Sequence, residues 1–294
     1  MKENKRVLAL FPGQGSQQVG MGKEFYDNTE IGKELFEIAD QALGFSLSKL
    51  CFEGPAEDLT ATEIVQPAIL TVSTICFRYF KAKWGNDVEL VAAAGHSLGE
   101  YSALVAAGVL DFADAVRLVN KRGKYMQEAV ARGAGKMVAV LGAEVEELER
   151  ALTSVAGVAQ IANVNAPGQI VVSGEAKAID DFKVKLPKLR MVELAVSAPF
   201  HCDLMQPAAE KLAVELDQTK FLDPEFPVYA NFSGQGQIKP EVMCQSLKDQ
   251  VCGRVRWIDC VQTAIMDFQP EIALEFGNGR VLSGLMKRID SAIH

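Results

Sequence analysis

Two rhythms of apolar residues alternate along the chain. Nearly continuous apolar runs at 6–11 (RVLALF) and 90–94 (LVAAA) have the length and composition of strands buried on both faces. Elsewhere apolar residues recur every three or four positions, the spacing of an amphipathic helix. That spacing predicts helical structure within 30–50 (Ile31, Leu35, Phe36, Ile38, Ala39) and a helix over 62–80 (Ile64, Ile69, Val72, Ile75). Pro67 stands near the start of the second, where proline is tolerated. Asp111 has the chemistry of an N-cap, and a helix is predicted from there to about residue 131. Past Gly133 the rhythm shortens. It predicts strand 136–141, an acidic helix 144–156, strands 158–163 and 169–173 about an Asn165-Ala166-Pro167-Gly168 turn, helix 176–186 and strand 190–196. A loop through Ser197-Ala198-Pro199-Phe200-His201 leads into a helix over 205–216. The remainder predicts strand 227–230, a turn at Ser233-Gly234-Gln235-Gly236, helices over 240–252 and 257–268, strand 272–276, and a terminal helix opened by Gly277-Asn278-Gly279.

The junction after the second apolar run carries the strongest chemical signal. Gly95-His96-Ser97-Leu98-Gly99 sits between a strand and a small-residue helix, the setting of a G-x-S-x-G nucleophile elbow. Such a turn is strained and brings strand and helix backbones close together, which glycine permits. Ser97 would then lie at a helix N-terminus, where free N–H groups favour developing negative charge. The predicted architecture is α/β. A larger, α/β-hydrolase-like domain with a largely parallel sheet spans 1–131 and 197–294, and the β-α-β-β-α-β order of 132–196 predicts an inserted, smaller ferredoxin-like domain. Active sites of such sheets gather beyond the strands' C-terminal ends, where Gln14 and Ser97 both fall.

A serine hydroxyl needs a base, usually histidine. Of three histidines, His294 ends the sequence and His96 adjoins Ser97 on the turn, where neighbouring side chains point apart. His201 is left as the candidate base. The group that would orient it stays open on these grounds: Asp180, Asp181, Asp203, Asp249 or a backbone carbonyl. The first loop, Pro12-Gly13-Gln14-Gly15-Ser16-Gln17, is glycine-rich but lacks both the G-x-G-x-x-G spacing and a P-loop lysine; Gly133-Ala134-Gly135-Lys136 fails in the same way. Read alone, Arg122 in Lys121-Arg122-Gly123-Lys124 belongs to a solvated helix face.

Composition narrows the field. A net charge of −8 over 294 residues argues against a nucleic-acid binder that works by phosphate neutralisation. No apolar run is long enough to span a membrane, and the first stops at Pro12, too short for a signal peptide. Six cysteines without a C-x-x-C pair read as reduced thiols of a cytoplasmic protein, and no His/Cys spacing supports a metal site.

Several motifs occur together in order: Phe11-Pro12-Gly13-Gln14-Gly15-Ser16-Gln17, Gly95-His96-Ser97-Leu98-Gly99-Glu100-Tyr101, Arg122-Gly123 with Met126, Pro199-Phe200-His201, and Gly277-Asn278-Gly279-Arg280-Val281-Leu282. With the segment 163–174 they resemble the malonyl-CoA:acyl carrier protein transacylase family of fatty acid synthesis over nearly the whole chain. The resemblance implies Ser97 as the acylated nucleophile and His201 as its base. It implies the backbone N–H groups of Gln14 and Leu98 as the oxyanion hole, Arg122 as the grip on the malonyl carboxylate, and the backbone carbonyl of Gln250 as the group orienting the histidine. Phe200 matches the malonyl-selective form of its motif, whereas Gly253-Arg254 departs from the Asn-Pro that relatives often carry. The implied partners are malonyl-CoA and acyl carrier protein, with no cofactor, no nucleic acid and no membrane, for a cytoplasmic enzyme expected to be a monomer. Carrier docking calls for a local basic patch, for which Lys183, Lys185, Lys188 and Arg190, or Lys287 and Arg288, are candidates. An acyltransferase loading polyketide synthase carriers would have identical residues and differ only in its carrier; Arg122 and the inserted small domain speak against a serine esterase or thioesterase, and intact Ser97, His201 and Arg122 against a non-catalytic carrier-docking subunit.

Overall fold

The computed structural model describes residues 4–293, so His294 lies outside the described residues. Nine strands are described. They are β1 (Lys5–Phe11), β2 (Val88–Gly95), β3 (Gly135–Leu141), β4 (Ala159–Ala166), β5 (Gln169–Glu175), β6 (Arg190–Glu193), β7 (Val228–Tyr229), β8 (Gly236–Gln237) and β9 (Ile272–Glu275). One sheet has the order β8-β7-β2-β1-β9 and is parallel except for the antiparallel edge strand β8. Its central strands are coated on both sides. Ala9, Phe11 and Ala93 join the core under the helices Thr62–Trp84 and Phe112–Glu128, while Leu8, Leu10, Ala92 and Ala94 meet the helices Trp257–Phe268 and Val281–Ile289. The continuous apolar runs in the sequence have this cause: both faces of the strand are buried.

The second sheet, β4-β5-β3-β6, is antiparallel throughout. Val138, Val140, Ile161, Ile170 and Val172 pack against the helices Val145–Leu152 and Ala176–Lys185 on one face. The opposite face turns Met137, Ala162 and Val171 into the core of the first sheet. It therefore roofs the C-terminal end of β2, where Ser97 stands. A backbone bridge fastens it there: Val255 N–H donates to the Ala162 carbonyl (2.7 Å), and Val164 N–H to the Val255 carbonyl (3.0 Å).

Element boundaries depart from the sequence reading for local reasons. The segment 30–50 divides into Glu30–Leu43 and Leu47–Glu53, with Gly44 at positive φ (74°) between them and Ser46 capping the second helix. The acidic helix stops at Leu152 instead of residue 156 because the Thr153 and Ser154 hydroxyls donate to the carbonyls of Arg150 and Ala151. The helix capped by Asp111 ends at Glu128, short of residue 131, and β6 ends at Glu193, short of residue 196. The turn predicted at Ser233–Gly236 closes onto the two-residue strand β8, which sequence did not show.

The elbow is forced by backbone proximity. A Cβ on Gly95 would overlap the Gly99 carbonyl, and one on Gly99 would overlap the Phe11 carbonyl. Gly99→Ala therefore has no space to relax into without separating the helix from the sheet. We expect a loss of about 3 kcal/mol or more of unfolding free energy, measured by urea denaturation. A loss below about 1 kcal/mol would show that the contact yields easily.

Candidate active site

Ser97 sits at the apex with φ 51° and ψ −106°, a conformation that side-chain-bearing residues rarely adopt. His201 also has positive φ (59°), so both members of the Ser–His pair are held in a strained backbone. The strain is over-determined by neighbours. Asn231 Oδ1 accepts the Ser97 N–H (2.7 Å), and Asn231 Nδ2 donates to the Gly95 carbonyl (2.8 Å). The Ser97 hydroxyl lies 2.7 Å from His201 Nε2, and His201 Nδ1 lies 2.9 Å from the Gln250 carbonyl. A carbonyl oxygen can only accept, so Nδ1 carries the proton and Nε2 is left free to take one from Ser97.

None of the four aspartates left open by the sequence reaches His201. Asp180 accepts from Lys136, Asp203 from Gln160, and Asp249 from Gln245, while Asp181 is exposed on the helix Ala176–Lys185. Burial, reinforced by the Arg122 charge, pushes the His201 imidazole down to about 3. His96 is half-buried by surface area and lowered as well, chiefly by loss of solvent around the ring, with Nε2 at 2.8 Å from Asn165 Oδ1 and its ring 5.6 Å from that of Trp257. Both rings are consequently neutral at pH 7. In an NMR titration neither imidazole should show an inflection as pH falls through 6.5. A transition near 6.5 at His201 would contradict this electrostatic picture.

Arg122 is not on a solvated face. It is 1% exposed, because the buried stripe of its helix runs Ala115, Val119, Arg122, Met126, at i, i+4, i+7 and i+11. Gly123 lets that helix approach close to Thr62, where a Cβ would overlap the Thr62 carbonyl. Its Nη1 donates to Gln66 Oε1 (2.8 Å), and its Nη2 to Gln250 Oε1 (2.9 Å) and Ser97 Oγ (3.1 Å). Nε is buried without a partner. Among the described residues no carboxylate pairs with this guanidinium. A buried arginine served only by neutral acceptors is suited to a small anionic ligand, which it can grip through two N–H groups at once.

Sequence reasoning missed three side chains of this centre. Glu100, 2% exposed, accepts at Oε2 from both the Gln250 side-chain amide (2.7 Å) and the Asn231 backbone N–H (2.9 Å). Burial lifts its carboxyl to about 7 despite those donors and Arg122. The available signal was a lone carboxylate in a helix otherwise made of small and apolar residues (LGEYSALVA). Asn231 and Gln66 had none, being ordinary amides at a strand end and in a helix.

A cleft of about 240 Å³ opens onto this chemistry. Gln14, His96, Ser97, Leu98, Arg122, Phe200 and His201 all line it, and Asn163, Asn165 and Gln169 descend from the second sheet. Gln250 reaches it through its contacts with Ser97, His201 and Arg122. The backbone N–H groups of Gln14 and Leu98 have no acceptor among the described residues, and Leu98 opens a helix, where such groups have no intrahelical partner. Gly253 lies too close to Phe232 and the Asp249 carbonyl for any side chain, and Arg254 instead reaches Glu149 on the helix Val145–Leu152 (2.7 Å). Of the candidate basic patches, Lys183 is paired with Glu193 (2.8 Å), and Arg288 donates to Gln169 and to the Pro167 carbonyl. Among the described residues no cluster of three or more His, Cys, Asp or Glu could hold a metal, and no helix is long and apolar enough to cross a membrane.

An elbow serine, a neutral histidine and a buried arginine around one cleft are the equipment of an acyl transferase. The family model for the acyl transferase domain matches residues 9–280, and the chain belongs to that family. Within it, the chain is similar to proteins named malonyl CoA-acyl carrier protein transacylase. It is 43% identical to the Bacillus subtilis protein over 97% of this chain and 90% of that one, and 42% identical to the Escherichia coli K12 protein over 95% and 91%. A Vibrio cholerae acyl carrier protein S-malonyltransferase superposes with a TM-score of 0.94 at 38% identity, covering 99% of this chain and 95% of that one. A malonyl-transacylase solved in complex with its holo type II PKS acyl-carrier protein has the same TM-score at 41% identity, covering 98% and 94%.

Proposed function

We propose that this chain transfers a malonyl group from malonyl-CoA to the phosphopantetheine thiol of acyl carrier protein in fatty acid synthesis, through a malonyl ester of Ser97. The observation that carries this reading is the hydrogen-bonded chain Ser97–His201–Gln250 beside an arginine that lacks a carboxylate partner. In the first half-reaction Ser97 Oγ attacks the thioester carbonyl while His201 Nε2 takes its proton. The tetrahedral oxyanion rests on the N–H groups of Gln14 and Leu98, whose typical worth is about 10²–10³ in rate per donor. Collapse breaks the C–S bond, and the proton on His201 passes to the departing CoA thiolate. The second half-reaction reverses the order: His201 takes the carrier thiol's proton, the thiolate attacks the ester, and Ser97 is regenerated. Arg122 holds the malonyl carboxylate and Phe200 narrows the cleft beside it, a malonyl-selective arrangement.

We read 132–196 as an inserted ferredoxin-like domain and 1–131 with 197–294 as a hydrolase-like catalytic domain, supported by the order β3, helix, β4, β5, helix, β6. In the same reading the enzyme is a cytoplasmic monomer that uses no cofactor. A polyketide carrier is the second reading, favoured by the likeness to a transacylase bound to a type II PKS carrier; the site chemistry is the same for both. The test is intact-protein mass after brief exposure to malonyl-CoA or acetyl-CoA. A malonyl adduct that forms in preference to acetyl is expected. Steady hydrolysis of malonyl-CoA with no adduct would favour a thioesterase, and neither adduct nor turnover would remove the enzyme assignment.

A further inference from the structure

We propose that Glu100 is the positioning residue that locks the serine elbow, the histidine-orienting carbonyl and the substrate arginine into one register. The inference rests on the malonyl-transfer reading and deepens it. A single oxygen, Oε2, receives the Asn231 N–H and the Gln250 Nε2. From those two residues the network reaches Ser97, His201 and Arg122. The Asn231 side chain holds the Ser97 N–H and the Gly95 carbonyl, fixing both ends of the elbow. The Gln250 amide spends its nitrogen on Glu100 and the Ser97 carbonyl and turns its oxygen to Arg122, while its own backbone carbonyl meets His201.

The orientation of the Gln250 amide is what makes Glu100 decisive. An amide can present either its oxygen or its NH₂ to Arg122, and only the oxygen suits a guanidinium donor. Glu100, an acceptor without donors when ionised, requires the NH₂ on its own side and so sends the oxygen to Arg122. Glu100 and Arg122 do not pair directly: the buried carboxyl and the guanidinium are joined through the intervening Gln250 amide. The guanidinium therefore retains capacity for a substrate carboxylate. Removing the carboxylate takes away the shorter of the two bonds on the Gln250 nitrogen and leaves only the 3.1 Å bond to the Ser97 carbonyl, so the amide is held less firmly and Arg122, His201 and Ser97 lose a common reference.

The test compares E100A and E100Q by single-turnover acylation with malonyl-CoA and acetyl-CoA, normalised to the amplitude of the Ser97 adduct so that only folded, active enzyme is counted. Glutamine can place its oxygen where Oε2 lies and accept both hydrogen bonds. E100A is expected to lose about ten- to a hundredfold in malonyl acylation rate and at least tenfold in malonyl-over-acetyl preference. E100Q is expected to recover most of both. A residue that merely supports the fold would lower adduct amplitude and leave the preference of the remaining enzyme unchanged. That result for E100A would overturn the proposal, as would an E100Q variant as defective as E100A. Wild-type enzyme that takes up no malonyl group would overturn the function reading, and this inference with it; normal wild-type acylation with an indifferent E100A would overturn the inference alone.

Discussion

Ser97→Ala is expected to abolish the malonyl adduct and lower transfer by about 10⁴-fold or more, the scale seen when a nucleophile that works as a unit with its base is removed. The fold should survive, because the elbow is held by backbone and not by the hydroxyl. Asn231 Oδ1 would still accept the N–H of residue 97, and Gly95 would still pack on Gly99. Alanine must take up the same positive φ that Ser97 already bears (51°), so the backbone change is small. The check is intact mass after malonyl-CoA together with a urea midpoint. A variant that still gains a malonyl group on its own chain would place the nucleophile elsewhere. Loss of the adduct accompanied by unfolding would show that Ser97 supports the turn as well as the chemistry.

Arg122→Ala is expected to lower kcat/KM for malonyl-CoA by about 10²–10³-fold, consistent with the loss of a buried charge-assisted contact. Acetyl transfer, which offers no carboxylate to the guanidinium, should fall far less, so that malonyl preference collapses. Part of the damage is structural, since Gln66 Oε1 and Gln250 Oε1 lose their donor in a buried setting. The ratio of malonyl to acetyl rates separates that part from recognition. Arg122→Lys should not restore the ratio, because a compact ammonium cannot serve Gln66, Gln250 and a bidentate carboxylate together. Equal losses for both acyl groups would mean that Arg122 supports the site without reading the substrate.

The legible and illegible parts of this molecule divide along a physical line. Ser97 declares itself because the elbow needs glycine at 95 and 99, and glycines at fixed spacing are visible in a sequence. His201 emerges because histidines are few. Both runs that form β1 and β2 are legible because double-sided burial leaves no polar interruption. Arg122 misleads when read alone: lysines flank it and the cluster looks wet, yet the 3.6-residue period carries it onto the stripe of Val119 and Met126. Gln250 contributes to His201 through a backbone carbonyl, which every residue possesses, so side-chain chemistry cannot flag it. Asn231 and Gln66 lie far from Ser97 and Arg122 in sequence and meet them only through tertiary packing. Of the alternatives left open for orienting His201, the backbone carbonyl is the one in contact, at 2.9 Å from Gln250.

The proposed transfer runs between two thiols through one serine, and isolating its second half tests it. Malonyl-enzyme, freed of CoA, is mixed with holo-acyl carrier protein, and the masses of both proteins are followed in time. The expected result is stoichiometric movement of the malonyl mass from this chain to the carrier, with little free malonate. Release of malonate to water at the same rate with and without carrier would contradict the account and make the protein a hydrolase.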